Sequence, residues 1–201
     1  MGAVELKLSD SLSNPASGSS LIQNGGSSKF RPGLKQPPRD LGDLDMRIAR
    51  DGTWSYRGSP IGRPALVKLF ASVLRREPDG CYWLVTPAER GRIEVEDVPF
   101  LAVALTATGD GREQQLIFRT NLDDIVTAGP DHPLRVETAA SGEAAPYILV
   151  RDGLEARIAR PVFYDLVELG MEELVGDAIQ FGVWSGGSFF QLGELAPDWD
   201  Q

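Results

Sequence analysis

The sequence predicts an α+β protein built from two related domains, each an antiparallel sheet with one helix. Three observations carry this. Arg50-Asp51-Gly52 followed by Ile61-Gly62-Arg63-Pro64 recurs as Arg151-Asp152-Gly153 followed by Ile158-Ala159-Arg160-Pro161. Each Arg-Pro pair opens a stretch with apolar residues at helical spacing, and short alternating runs bounded by glycine and proline surround it, as strands and tight turns do. The repeat period is about a hundred residues, far above the ~20–50 of solenoid repeats, so it marks duplicated domains.

Residues 1–41 are rich in Ser, Gly and Pro, as in Ser17-Gly18-Ser19-Ser20, Gly25-Gly26-Ser27-Ser28 and Pro37-Pro38. Such a segment cannot bury enough apolar surface to offset its ordering entropy, so a disordered tail is expected. An N-terminal domain is expected over 42–100, a C-terminal domain over 101–193 and a frayed acidic tail over 194–201.

The first strand is expected near Met46 and Ile48, which alternate with polar residues and return through Thr53–Tyr56. Asp51-Gly52 between them suits a two-residue hairpin turn, whose central positions both need positive φ. Pro64 then opens a helix at a position where proline is tolerated. Leu66, Leu69, Phe70, Val73 and Leu74 would form its buried face, Arg75-Arg76 its last turn and Pro78-Asp79-Gly80 its stop. Strands follow at 81–85, 93–96 and 100–105, the last turning at Gly109-Asp110-Gly111 to pair with 115–119. A turn and short strand over 121–126, a strand at 134–137 and a connector over 139–146 lead to the second copy. There, Tyr147–Val150 and Leu154–Ile158 form a hairpin about Asp152-Gly153, and Pro161 opens a helix with Phe163, Leu166 and Val167 on one face and Gly170 as cap. A last hairpin joins 180–184 to 188–192 through Ser185-Gly186-Gly187. The first copy carries a four-residue insertion at 56–59.

With 42% hydrophobic and 24% charged residues among 201, the chain has ordinary globular composition and enough length for a core. Net charge is -9; the first 41 residues hold five of the 20 cations and three of the 29 acids, leaving a body at -11. Such a body repels duplex DNA and anionic membranes, so neither is expected as a partner. Lys68 is the only lysine of that body; arginine is the better bidentate partner for carboxylate and phosphate, although codon bias in a GC-rich genome is the simpler account. Cys81 is the only cysteine, so no internal disulfide forms. Met1–Ser9 lacks a basic leader, no apolar run approaches the ~18–20 residues of a membrane span, and Leu6 stands where a myristoylation signal needs Ser or Thr. A cytoplasmic location is expected.

The stretches 43–54 and 58–67 resemble the opening motifs of a bacterial family, and so do Leu84-Val85-Thr86-Pro87, Phe118-Arg119-Thr120-Asn121, Tyr164-Asp165-Leu166-Val167 and Gly182-Val183-Trp184-Ser185-Gly186-Gly187. On these residues the chain is similar to domain-of-unknown-function family 1285 over about 42–193. The resemblance implies a duplicated α+β fold, a C-terminal domain like pleckstrin-homology domains, a nucleotide-like ligand in the groove between domains and a role in signal transduction. It implies no established activity. The Ser/Gly-rich start departs from the family's shorter lead-in.

The residues themselves offer little chemistry. His132 and Cys81 are the only N and S ligands of their kind, which argues against a zinc site, and Asp43 and Asp45 lack the spacing of a calcium loop. No nucleophile elbow accompanies His132, which sits between prolines, and Cys81 reads as a small buried hydrophobe. Glu94/Glu96, Asp123/Asp124 and Glu172/Glu173 could pair as acid and base, but solvated faces explain them better. No phosphate-binding glycine loop occurs. No catalytic residue, metal or cofactor is therefore expected. Arg63 and Arg160 lie at two helix starts, whose unpaired N–H groups suit an anion. The expected ligand-binding set is Arg50, Trp54, Arg63, Arg119, Thr120, Asn121, Arg160, Trp184 and Ser185. A protein-interaction scaffold using sheet edges or the pleckstrin-homology-like domain is the alternative, and an unrecognised enzyme the third.

Overall fold

The computed structural model describes residues 37–138 and 143–193. Residues 1–36 of the tail expected over 1–41, the middle of the connector and the acidic end lie outside the described residues. The first half runs β1 (Arg39–Ile48), β2 (Trp54–Tyr56), β3 (Ser59–Pro60), α1 (Pro64–Ser72), β4 (Leu74–Arg76), β5 (Tyr82–Val85) and β6 (Glu89–Val95). These strands form one sheet in the order β3-β2-β1-β6-β5-β4, with β1 and β6 parallel. The second half adds β7 (Phe100–Thr108), a short 3-10 turn over Gly111–Glu113, β8 (Gln115–Thr120), β9 (Ile125–Thr127), β10 (Leu134–Thr138), β11 (Ala144–Arg151), β12 (Leu154–Ile158), α2 (Arg160–Glu168), β13 (Met171–Val175), β14 (Ala178–Ser185) and β15 (Ser188–Gly193). Its six-stranded sheet runs β10-β11-β12-β7-β8-β9, and β13-β14-β15 form a separate sheet.

The duplication is visible as a repeated order of hairpin, helix and three-stranded meander. In the first copy the meander is β4-β5-β6 and joins the hairpin's sheet through β1 and β6. In the second it is β13-β14-β15 and forms its own sheet, while β12 pairs in parallel with β7.

The same tripeptide makes two different turns. Asp152 and Gly153 both have positive φ, at 46° and 74°, and join β11 to β12 with Arg151 opposite Leu154. This is the two-residue turn the sequence predicts. In the first copy only Gly52 of this turn has positive φ, and the loop spans Ala49–Thr53, closed by the pair Ile48↔Trp54. Asp51 instead accepts from the Thr53 N–H at 2.9 Å, a local side-chain turn. The inserted residues build a second hairpin: Arg57 and Gly58, at φ 49° and 76°, turn the chain so that Ser59 pairs with Tyr56.

Several boundaries move. β1 begins at Arg39, inside the segment expected to be tail, because its early residues pair with β6. α1 ends at Ser72, and Arg75-Arg76 lie on β4 rather than in a last helical turn. Leu74, Arg75 and Arg76 pair with Leu84, Trp83 and Tyr82, so strand pairing overrides the helical period. The helix also buries Val67 and Ala71 and leaves Leu69 60% exposed, a face rotated by about one position from the expected stripe. β11 begins at Ala144, inside the expected connector. Gly170 does not cap α2 through a left-handed φ; a Cβ there would strike the Phe181 ring. Cys81 is half-buried at a strand edge rather than in the core.

Buried residues of both halves belong to one cluster, from Met46, Ile48, Trp54 and Leu74 through Phe100, Phe118, Ile148 and Leu166 to Val183 and Leu192. Specific contacts stitch the halves along this shared core. A Cβ on Gly52 would lie 2.5 Å from the Asn121 amide nitrogen. Lys68 of α1 donates to Asp123 at 2.6 Å, and Arg151 donates to the Ala71 carbonyl near the C-terminus of α1 at 2.7 Å. Donating to that terminal carbonyl satisfies a group the helix leaves unpaired.

Candidate functional site

The expected ligand residues separate into several places. Thr120 and Asn121 lie in the seam between the halves. Thr120 is fully buried, and its hydroxyl accepts from Leu122 and Asp124 N–H groups. Asn121 exchanges backbone and side-chain bonds with Leu101, fixing the start of β7. Arg119 is exposed and sits 3.3 Å from Asp123, which also holds Lys68. These cations, chiefly the Lys68 hydrogen bond, hold the Asp123 carboxyl below its usual range. Arg50 is carried by the loop that meets Asn121; its guanidinium lies 3.6 Å from Asp97 and its backbone N–H donates to Glu96. Asp97 also accepts from Arg157 and Tyr147, so the seam's charges are mutually neutralised.

Trp54 is a core residue, 2% exposed and stacked on Phe70, with its indole N–H unpartnered. Ser185 is fully buried and bridges two sheets: its hydroxyl donates to the Ala128 carbonyl at 2.7 Å and accepts from the Leu116 N–H at 2.9 Å. Trp184 lies beside it, with Arg112 over its ring at 4.7 Å and its N–H donated to Glu173 at 3.2 Å. Those two donors, Trp184 first, hold the Glu173 carboxyl below its usual range. Arg63 is exposed at the N-cap of α1, and Arg160 is the first residue of α2.

Two concavities stand out, one in each half and neither in the seam. The larger, about 640 Å³, lies on the first sheet among Asp43, Asp45, Glu94, Arg47 and Arg57. Its arginines already face its carboxylates, Arg47 at 3.6 Å from Glu94 and Arg57 at 3.9 Å from Asp45. The smaller, about 270 Å³, opens at the start of α2 and is lined by Pro146, Arg157, Arg160, Phe163, Tyr164 and Glu143, among others. The Ala159 N-cap makes no side-chain bond, and the first turn holds no acidic residue, so the helix start is electrostatically positive and uncapped. Arg160 extends into solvent 3.7 Å from Glu143, and Tyr164 is 57% exposed. Arg157 and Tyr164 are absent from the expected ligand-binding set, although Tyr164 belongs to one of the motifs that carry the family resemblance. Arg157 looks like any strand arginine until β12 is placed beside α2, and Tyr164 falls one position off the helix's apolar stripe.

Family models match the two halves in turn, DUF1285 N-terminal over residues 33–98 and DUF1285 C-terminal over 99–192, both described as of unknown function. The chain belongs to the DUF1285 family. A DUF1285 protein from Silicibacter pomeroyi DSS-3 shares 48% identity, with a TM-score of 0.74 over 85% of this chain and 91% of that one. Another from Shewanella baltica OS155 shares 26% identity, with a TM-score of 0.51 over 63% of this chain and 92% of that one. No curated protein matches this DUF1285 chain. Among the described residues no helix is long and apolar enough to cross a membrane, and no three His, Cys, Asp or Glu side chains cluster as a metal site would require.

Proposed function

We propose that this DUF1285 chain is a non-catalytic binding module that takes a small anion at the start of α2, such as a phosphate, alone or as part of a nucleotide. The supporting observation is the joint presence around one concavity of an uncapped helix start with no acid in its first turn, an exposed tyrosine and two arginines, of which Arg157 also binds Asp97 and Arg160 reaches Glu143 only at 3.7 Å in solvent. Unpaired helix N–H groups favour an anion, arginine adds a bidentate contact, and the tyrosine face offers a ring or sugar a surface. The concavity is near the small end of ligand sites, which suits one phosphate-sized group with the rest of the ligand lying against Tyr164. The non-catalytic part of the reading rests on placement. The His132 ring bonds the Leu149 carbonyl, and the Glu94–Arg47 and Glu173–Arg112 pairs tie their carboxylates to cations. Holding a soluble anion without converting it fits a sensing role in signal transduction.

The test is isothermal titration of the full chain with inorganic phosphate, AMP and ATP, repeated on Arg160→Ala and Tyr164→Ala. Both side chains are largely exposed, so these variants keep the fold. Binding weakened about tenfold by Arg160→Ala, the usual loss of one charge-assisted bond, is expected. Heat signals absent for all three anions, or unchanged in both variants, rule the site out.

A further inference from the structure

The hairpin β13–β14 presents an apolar surface that no described element covers. Leu174 pairs with Ile179 and Glu172 with Phe181, so these side chains share one face. Further along β14 the same face carries Val183 and Ser185, both fully buried against the domain. At the tip it projects past the body: Leu174 is 68% exposed and Ile179 62%. On the other face Val175 is 41% exposed and Met171 36%. β13 is also the terminal strand of its sheet, and its outer edge pairs with no described strand. Natural edge strands are guarded by charged side chains, lysine above all, by proline or by a bulge; Met171–Val175 has no lysine, proline or bulge, and its only charges are Glu172 and the already engaged Glu173.

Charge selects what covers this edge. Residues 161–193 hold five acids (Asp165, Glu168, Glu172, Glu173 and Asp177) and no Lys, Arg or His. Glu173 is engaged by Arg112 and Trp184, whereas Glu172 is exposed beside Leu174. A second copy of the chain is the poorer occupant, because it brings the same uncompensated acids into contact.

We propose that β13 docks an extended, basic segment of a partner protein as a fourth strand of the β13-β14-β15 sheet. Main-chain bonds to the open edge supply affinity, a Lys or Arg faces Glu172, and aliphatic side chains cover Leu174 and Val175. The surface is separate from the anion site, and its test is independent of that one.

The probes are fluorescein-labelled peptides of the pattern Lys-Val-Val-Thr-Lys-Val-Lys with the inner lysine walked across each position. They are read by fluorescence anisotropy on the full chain, with sedimentation of the chain alone beside it. At least one register is expected to bind saturably, at least tenfold more weakly after N-methylation of alternate backbone nitrogens. Glu172→Lys and the exposed pair Leu174→Thr/Ile179→Thr are expected to weaken it about tenfold each. The proposal is overturned if no register binds, if N-methylated peptides bind equally well, or if sedimentation shows a dimer that Leu174→Thr/Ile179→Thr dissolves, which would make a second copy the occupant.

Discussion

Replacing Ser185 by alanine separates a structural serine from a ligand contact. Its hydroxyl is the only side-chain group joining the end of β14 to both Leu116 and Ala128 among the described bonds, and all three residues are fully buried. The adjoining turn is equally close: a Cβ on Gly186 would lie 2.9 Å from the Ala128 carbonyl oxygen, so water has little room to replace the missing hydroxyl. Ser185→Ala therefore strands a buried N–H and a buried carbonyl oxygen. At ~1–3 kcal/mol for each unsatisfied group, with partial relaxation, the loss is about 2–4 kcal/mol. For a chain of this size that lowers Tm by roughly 5–15 °C. Urea unfolding followed by far-UV circular dichroism measures it, with Ser188→Ala, a half-buried position across the same turn, as the reference expected within ~0.5 kcal/mol of wild type. A Ser185→Ala midpoint indistinguishable from wild type would refute the bridging argument and return Ser185 to the list of ligand contacts.

Gly153→Ala meets open space and suffers only the positive φ, costing about 1–2 kcal/mol, whereas Gly52→Ala also strikes Asn121 and adds roughly 1–3 kcal/mol of overpacking; equal losses in urea unfolding would mean the Gly52–Asn121 approach is not tight. Tyr82 and Tyr147 both have hydroxyls raised above 10.0, mainly by burial, with the Asp97 carboxylate adding to the effect. The folded state thus favours the protonated phenols: their contribution is fully present below pH 10, and it is lost as pH rises through the folded-state values, since the unfolded chain ionises first. The urea midpoint is expected to hold below pH 10 and to fall above it, with a shallower fall in Tyr147→Phe; an identical slope in that variant would remove Tyr147 from the account.

Much of the fold was legible because local rules decided it. Asp152-Gly153, Gly186-Gly187 and the Arg-Pro helix starts act through backbone geometry that neighbours in sequence supply. Alternation placed the Met46–Ile48 end of β1 and the Ile93–Val95 end of β6 for the same reason. α1 stops at Ser72 because Leu74–Arg76 pair with β5, and β13 went unread because its exposed Leu174 and Val175 follow neither a clean strand nor a helix period. The candidate site was half legible: Arg160 at a proline-opened helix is a local signal, whereas Arg157 and Tyr164 meet it only after β12 is set against α2.

The duplication, the turn chemistry, the acidic body and the family can be read without a fold, since each depends on composition or on residues adjacent in the chain. What the duplicated letters do depends on their neighbours in space. Arg151 binds the end of α1 and Arg50 the carboxylate of Asp97, although both sit in the same tripeptide. Non-local strand pairing places one meander inside its sheet and leaves the other as a separate three-stranded sheet with an open acidic edge. Pairing of that kind is set by packing across the whole core, and no window of neighbouring residues encodes it.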